Sequence, residues 1–358
     1  MANKIDLRFA ATNRYEVEAI PQNTSVVING RDFVAWGADN KYPEFLSNLY
    51  QNCSTLSSII NGMTDFVCGN EITTLTDDEN SFSSLEDEIR NLVRDYLIYG
   101  IAYLNVLRNA KGEVATVKWV DTRNIRSNED NTVFFYSADW SKSYGRVKTI
   151  VLPKYQKTGK DVSSIVMIKD YDRDVYPTPK WGAAIDSVVT EIEIGKYHLN
   201  EILNNFTASA IINFNNGVPS DEDKDEIEKM IQEKFCSAEN AGRFVLAFNN
   251  NKESAVTIER LGTDDFDKRY DAVAKKTRQE IFTAFRANPN LFGIPTENLG
   301  FSAEEYESSF KLFNRTSIRP LQKLIVRTFD KLGIAITITP FSLEDKRNGA
   351  SSEEKVDE

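Results

Sequence analysis

The stretch GAAIDSVVTEIEIGKYHLNEILNNFTA at residues 182–208, with DDFDKRYDAVAKKTRQEIFTAFR at 264–286, decides how this chain is organised. In the first, Ile185, Val188, Val189, Ile192, Leu199, Ile202, Leu203 and Phe206 recur at three- and four-residue steps, the period of one helix face. In the second, Phe266, Tyr270, Val273, Ala274, Thr277, Ile281 and Phe285 do the same. A helix over residues 183–208 has about 26 residues and runs roughly 39 Å at 1.5 Å per residue, about twice the usual length. Between the two lies an island at 209–263. AIINFNN reads as a strand, and Ser220 with DEDKDEIEKMIQEKF reads as a capped helix whose first turn is acidic. RFVLAF at 243–248 and AVTIERL at 255–261 read as two more strands. Two long helices separated by a small module most simply lie side by side and carry it at their far end, as a stalk carries a knob. Assemblies need that shape more often than enzymes do. The helices pack either within the chain or against further copies of it.

Towards the N-terminus, VVI at 26–28 and FVAW at 33–36 read as short strands or as an arm laid on a neighbour. A helical pattern runs from Tyr42-Pro43 to Cys68 with a break at Asn52–Ser54, and Gly69 is its expected stop. The polar run TTLTDDENSFSS separates it from a helix over 85–99 that ends at Gly100. IAYLNVLRN and VATVKWV flank the turn AKG as a hairpin. Strand-like pieces follow at Thr132–Tyr136, Val147–Leu152 and Ile165–Ile168. The prolines of Tyr176-Pro177-Thr178-Pro179 then break the chain before the first long helix. After the second, ANPNLFGIPTENLGF at 287–301 holds two prolines and two glycines and reads as an irregular loop. Ala303–Leu332 is helical with an expected break at Pro320, and IAITITPF is a last strand. Helices and strands sharing a core in this way make an α+β chain.

The chain has 358 residues, 43 basic against 54 acidic, for a formal charge of -11. A surface built to grip nucleic acid throughout is excluded by that balance. Hydrophobic residues at 41% argue against disorder. With one histidine, His198 on a helical face, no multi-histidine metal site can form, and Cys53, Cys68 and Cys236 have no zinc or disulfide spacing. No P-loop, GxGxxG, HExxH or GxSxG occurs. No opening targeting segment and no apolar run of membrane-spanning length is seen, so a soluble protein is expected. The remaining chemical candidate is the carboxylate pair Asp170 and Asp172 in KDYDRD, which lacks the glycine and distal glutamate of a calcium loop. An acidic carboxylate- or metal-dependent enzyme is therefore a weak alternative, and no metal or cofactor is expected.

Four segments, in this order, resemble the portal proteins of tailed bacteriophages, of the smaller HK97 type. They are RDYLIYGIAYLNVLRNAKGEV at 94–114, VYPTPKWGAAIDSVVTEIEIGKYHLNEILNNF at 175–206, NFNNGVPSDEDKDEIEKMIQEKFCSAENAGRFVLAF at 213–248, and FRANPNLFGIPTENLGF at 285–301, followed by SFKLFNRTSIRPL at 309–321. Ile294 stands where that family usually has valine. The segment around 125–165 fits the pattern poorly, and little follows residue 342, so the helical crown of many portals is expected to be absent or vestigial.

The resemblance implies an N-terminal arm at 1–41, a wing at 42–182 and 302–341, stem helices at 183–208 and 264–286, a clip at 209–263, a channel loop at 287–301 and a flexible acidic tail at 342–358. It implies a ring, typically of twelve subunits, at one capsid vertex of the virion and assembled in the host cytoplasm. DNA would enter through it, driven by the large terminase, and leave by the same channel. Other implied partners are the major capsid protein or scaffold and a head-completion adaptor, with no membrane. Another head-tail connector or adaptor component is the structural alternative. Twelve copies at -11 each would carry about -132, which favours a conduit over a clamp. Within the resemblance, Asn288, Pro289, Asn290, Leu291, Phe292, Gly293, Ile294 and Pro295 are candidate channel-loop residues, or else a buried connector. Lys275, Lys276, Arg278 and Arg286 are candidate basic channel residues, or else pair with neighbouring acids. Asp221, Asp223, Asp225, Glu226 and Glu233 are a candidate docking surface of the clip, or else a solvated face.

Overall fold

The computed structural model describes residues 21, 23–28, 31–74, 85–140, 148–172, 174–203, 210–214, 244–248, 266–294 and 303–341. The chain divides into one unit of residues 1–186 with 280–358 and a second of 187–279. The first unit begins with the hairpin β1 (Thr24–Ile28) and β2 (Arg31–Ala35), then helices α1 (Tyr42–Asn52) and α2 (Ser54–Cys68). Strand β3 (Glu71–Thr74), helix α3 (Leu85–Tyr99) and the hairpin β4 (Ile101–Arg108) and β5 (Val114–Val120) follow. Next come β6 (Ile125–Ser127), β7 (Val133–Tyr136), β8 (Ile150–Pro153) and β9 (Ser163–Lys169). Helix α4 (Ile185–Leu203), β10 (Ala210–Phe214), β11 (Phe244–Phe248) and α5 (Phe266–Ala284) follow. Helices α6 (Ala303–Phe313) and α7 (Arg319–Leu332) and strand β12 (Ile336–Thr339) complete the order.

Three sheets build the first unit: β1-β2-β6-β7-β8, β5-β4-β9 and β12-β3. The break expected at Asn52–Ser54 is a cap: Cys53 leaves helical geometry and its Sγ accepts from Leu56 N at 3.4 Å. Behind β4 lies α3, with α2 packed on α3, and their Ile59, Ile60, Ile89, Leu92 and Val93 meet no solvent. The α3–β4 turn is made by Gly100 at φ 73, where a Cβ would stand 3.2 Å from Pro177 Cγ and 3.3 Å from Pro179 Cα. Two of the sequence cues, Tyr99-Gly100 and Tyr176-Pro177-Thr178-Pro179, thus lie against each other. Trp181 seals the contact by donating its Nε1 to Leu97 O at 3.1 Å.

Tyr176 ties this strap to the five-stranded sheet. Its ring stacks on Trp36 at 4.4 Å and 6°. Its hydroxyl donates to Val34 O at 2.6 Å and accepts from Ser127 N at 2.8 Å. Strands β2 and β6 pair only at Val34 and Ser127, so the phenol completes a short ladder. Beside it, the fully buried Arg126 donates to Asn40 Oδ1 and O and to the carbonyls of Arg123 and Ile125 at 2.5–2.9 Å.

Three expectations are corrected here. Strand β3 was hidden in a stretch read as connector; its alternating exposed and half-buried Glu-Ile-Thr-Thr acquires meaning only against β12, from Ile336↔Thr74 to Thr339↔Glu71. The break near Pro320 falls earlier, as a π-turn over Asn314–Ile318. Proline lacks an N–H and its ring crowds the carbonyl four residues back; the widened turn, with Arg319 N bonded to Asn314 O, precedes that misfit and leaves Pro320 in the first turn of α7. The irregular loop contains a 3-10 turn over Pro289–Phe292. The first long helix opens with a 3-10 turn at Gly182–Ala184, and its expected end at 204–208 lies outside the described residues.

In the second unit, β10 and β11 pair in parallel from Ala210↔Phe244 to Phe214↔Phe248, so these island strands complete each other within the chain. The expected strand at 255–261 lies outside the described residues. Tyr197 of α4 stacks on Tyr270 of α5 at 4.7 Å and 23°, with His198 edge-on to the same ring at 6.0 Å.

Two stability outcomes follow. Tyr176→Phe keeps the stack on Trp36 and strands Val34 O and Ser127 N in the core; a loss of about 2–3 kcal/mol in urea unfolding is expected, the cost of buried unsatisfied groups. Asp95 is buried and accepts from Trp119 Nε1 at 2.9 Å and Thr122 N at 3.0 Å. Burial pushes its carboxyl up to about 7, with Asp121 adding to the rise and the two donors opposing it. A carboxyl raised on folding costs stability progressively as pH climbs from its unfolded value near 4 to its folded value near 7. Asp95→Asn keeps an acceptor without the charge. Its unfolding stability should match wild type near pH 3, where the carboxyl is protonated in both states, and exceed it at pH 8 by on the order of 2–4 kcal/mol. An advantage that did not grow with pH would refute this.

Candidate functional site

The segment between α5 and α6 is fixed at its base by packing. Asn288 caps the 3-10 turn, its Oδ1 accepting from Asn290 N at 3.1 Å and its Nδ2 donating to Ser309 Oγ at 2.9 Å. The turn drives Leu291 into the core at 7% exposure. Phe292 lies among Phe66, Phe282 and Phe313, with ring centroids at 5.8–6.1 Å. A Cβ on Gly62 of α2 would be 2.8 Å from the Phe292 ring, so only glycine leaves room for it. Phe66 extends the cluster to Phe310 and Phe341 at 5.5 and 5.2 Å. Edge-to-face arrangements such as these add to simple area burial.

The candidate loop residues therefore divide. Asn288, Pro289 and Asn290 form a half-buried cap, Leu291 and Phe292 anchor it, and Gly293 turns outward at φ 76. Ile294 is half-buried, and Pro295 lies outside the described residues with the rest of the loop to 302. Leu291 and Phe292 make the contacts of a buried connector.

The basic candidates also separate. Arg286 follows α5, exposed, in left-handed geometry at φ 53, a conformation uncommon for a residue with a side chain. It borders a cavity of about 410 Å³ shared with Lys180, Phe285, Thr316, Ser317 and Leu321. Sequence reasoning did not find this cavity, because the π-turn that supplies Thr316 and Ser317 has no local signature beyond Pro320. Lys275, Lys276 and Arg278 are exposed on α5, around from the buried Thr277. The clip candidates Asp221, Asp223, Asp225, Glu226 and Glu233 all lie outside the described residues.

The carboxylates of KDYDRD serve as local acceptors. Asp170 Oδ1 accepts from the Tyr96 hydroxyl at 2.6 Å and lies 3.4 Å from Lys180 Nζ. Asp172 accepts from the backbone N–H groups of Asp174 and Thr178 at 3.2 and 3.1 Å. Among the described residues no group of three or more His, Cys, Asp or Glu side chains is placed to hold a metal, and no helix is long and apolar enough to cross a membrane.

Comparison with known proteins gives this arrangement its context. The fold is similar to that of a chain in the virion of a native gene transfer agent particle, with TM-score 0.54, 18% identity and 83% of both chains covered. A chain from the neck of the native particle, computed with C12 symmetry, matches with TM-score 0.52 and 16% identity over 83% of this chain and 84% of that one. The crystal structure of an HK97-family phage portal protein from Corynebacterium diphtheriae matches with TM-score 0.50 and 10% identity, over 82% and 94%. At such identities the likeness is one of fold. The sequence supplies the rest: a profile described as phage portal protein matches residues 69–344, from the end of α2 to just past β12, and so the chain belongs to the phage portal protein family.

Proposed function

We propose that twelve copies of this chain form the portal ring at one capsid vertex, the channel through which terminase drives DNA in and through which it later leaves. The observation that carries this reading is the portal profile over residues 69–344, spanning both units. The neck of the native gene transfer agent particle, computed with C12 symmetry, supports the copy number. In this reading residues 42–182 and 302–341 are the wing, 183–208 and 264–286 the stem, and 209–263 the clip that meets terminase and then a head-completion adaptor. The acidic residues Asp221, Asp223, Asp225, Glu226 and Glu233 offer that partner a charged docking face. Scaffold or major capsid protein surrounds the wing.

The role is structural, and the physics asked of the channel is weak interaction. Each phosphate neutralised adds affinity and salt dependence, so a conduit must contact DNA sparingly. A subunit of charge -11 meets that need, while Lys275, Lys276, Arg278 and Arg286 provide scattered positive contacts. The loop is divided in function: Leu291 and Phe292 hold its base, and Gly293, which faces solvent, begins the part assigned to the channel.

Native mass spectrometry with negative-stain imaging tests the ring. Particles near twelve times 40.6 kDa with a central hole are expected. A chain that stayed monomeric at high concentration and with scaffold present would overturn the reading. The division of the loop is tested separately. Phe292→Ala should lower unfolding stability by about 2–3 kcal/mol, as removal of a half-buried aromatic does, and a loss below about 0.5 kcal/mol, the scale of a surface change, would refute its place at the loop's base.

A further inference from the structure

The five-stranded sheet ends on two edges that carry no charge. Strand β1 reads Thr-Ser-Val-Val-Ile and β8 reads Ile-Val-Leu-Pro. Solvent-facing edge strands are usually guarded by lysine, bulges or inward charges, because their free N–H and C=O groups recruit other strands. Here Pro153 only closes β8, after which Lys154 bridges to Ile165 of β9. Among the described residues no strand pairs with the outer side of β1 or of residues 150–152. Both edges expose apolar side chains: Val27 at 66%, Ile150 at 59% and Val151 at 36%.

The register shows that the two edges match face for face. Residues opposite each other in antiparallel pairs share a face. Val26 opposes Phe33, Arg126 opposes Phe135, and Phe135 opposes Val151. With Trp140, Phe33 and Phe135 form one buried cluster, so Val26 and Val151 end the same apolar stripe at opposite sides of the sheet. On the other face, Ser25 opposes Val34, Val34 opposes Ser127, Ser127 opposes Phe134 and Phe134 opposes Leu152. Val27 and Ile150, two residues along from Ser25 and Leu152, therefore share that second face.

We propose that the β8 edge of one copy pairs with the β1 edge of the next, continuing the sheet from subunit to subunit. The occupant of each edge is a second copy because the opposite edge of the same sheet presents the complementary surface: uncharged backbone on strands that four antiparallel steps leave running the same way, so that a parallel pairing sets Val26 opposite Val151 on one face and Val27 opposite Leu152 on the other. The contact is head-to-tail, the kind that closes into rings, and it rests on the ring reading above. Its scale agrees with a ring. Five strands at about 4.8 Å span about 24 Å, and twelve such sheets make a circumference of about 290 Å, a radius of about 46 Å.

Cysteine trapping in full-length rings tests the seam. Val27→Cys with Leu152→Cys, and separately Val26→Cys with Val151→Cys, are oxidised after assembly and run without reductant. At least one pair should give a ladder of covalent multimers up to the ring, with each single variant no different from wild type. Rings in which neither pair crosslinks overturn the proposal and leave the ring reading standing. Dimers from Val27→Cys alone would mean β1-to-β1 pairing and overturn it too. A wild-type chain that forms no rings removes both. As a second arm, Val27→Lys with Ile150→Lys should cut the assembled fraction at least tenfold without moving the subunit's circular dichroism; undiminished assembly counts against the seam.

Discussion

The described part of the first unit depends on the strap from Tyr176 to Gly182. One phenol stacks on Trp36, receives the N–H of Ser127 and donates to Val34, so it joins the N-terminal hairpin to β6 where their own ladder is a single pair. Three residues later the strap lies on the Gly100 turn, and Trp181 reaches the last turn of α3. A short segment thereby locks the five-stranded sheet and the α3–β4 layer to each other just ahead of α4. Such bonds matter because each replaces a backbone group that would otherwise be stranded in the core.

Around that strap the interior holds ionisable groups, and their energetics differ. Arg126 is fully buried yet donates to four acceptors and sits 5.0 Å over the Trp140 ring, so its desolvation is offset by geometry. Asp95 accepts from the Trp119 indole and the Thr122 backbone N–H, and burial shifts it towards the neutral acid. Glu44 is likewise raised by burial, held in check by the Arg126 charge. The first unit therefore carries these buried charges as connectors between elements, with specificity of packing as the benefit and stability as the cost.

Portal function asks little chemistry and much geometry, and the structure reflects this. The aromatic cluster around Phe66 fixes where the α5–α6 segment leaves the core, while the charged residues proposed for DNA remain on the outside of α5 and at its end. Edge strands without guards fit a subunit whose sheet is completed by neighbours. The same features would be liabilities in a protein meant to remain alone.

By itself the sequence determined the elements whose information is local: α1 and α2 with the break at Cys53, α3 with its stop at Gly100, the β4–β5 hairpin, the two long helical patterns and, through four ordered motifs, the family. Periodicity and turn chemistry encode those over a few residues. Only the tertiary structure decided that Glu71–Thr74 is a strand, since its partner lies at Ile336–Thr339 and no local period announces it. It also decided that Leu291 is buried, that Phe292 packs into an aromatic cluster and that the chain widens into a π-turn before Pro320. The strand and the buried base of the loop share one reason. Their free energy comes from contacts made across long stretches of chain, where burial and pairing outweigh local propensity.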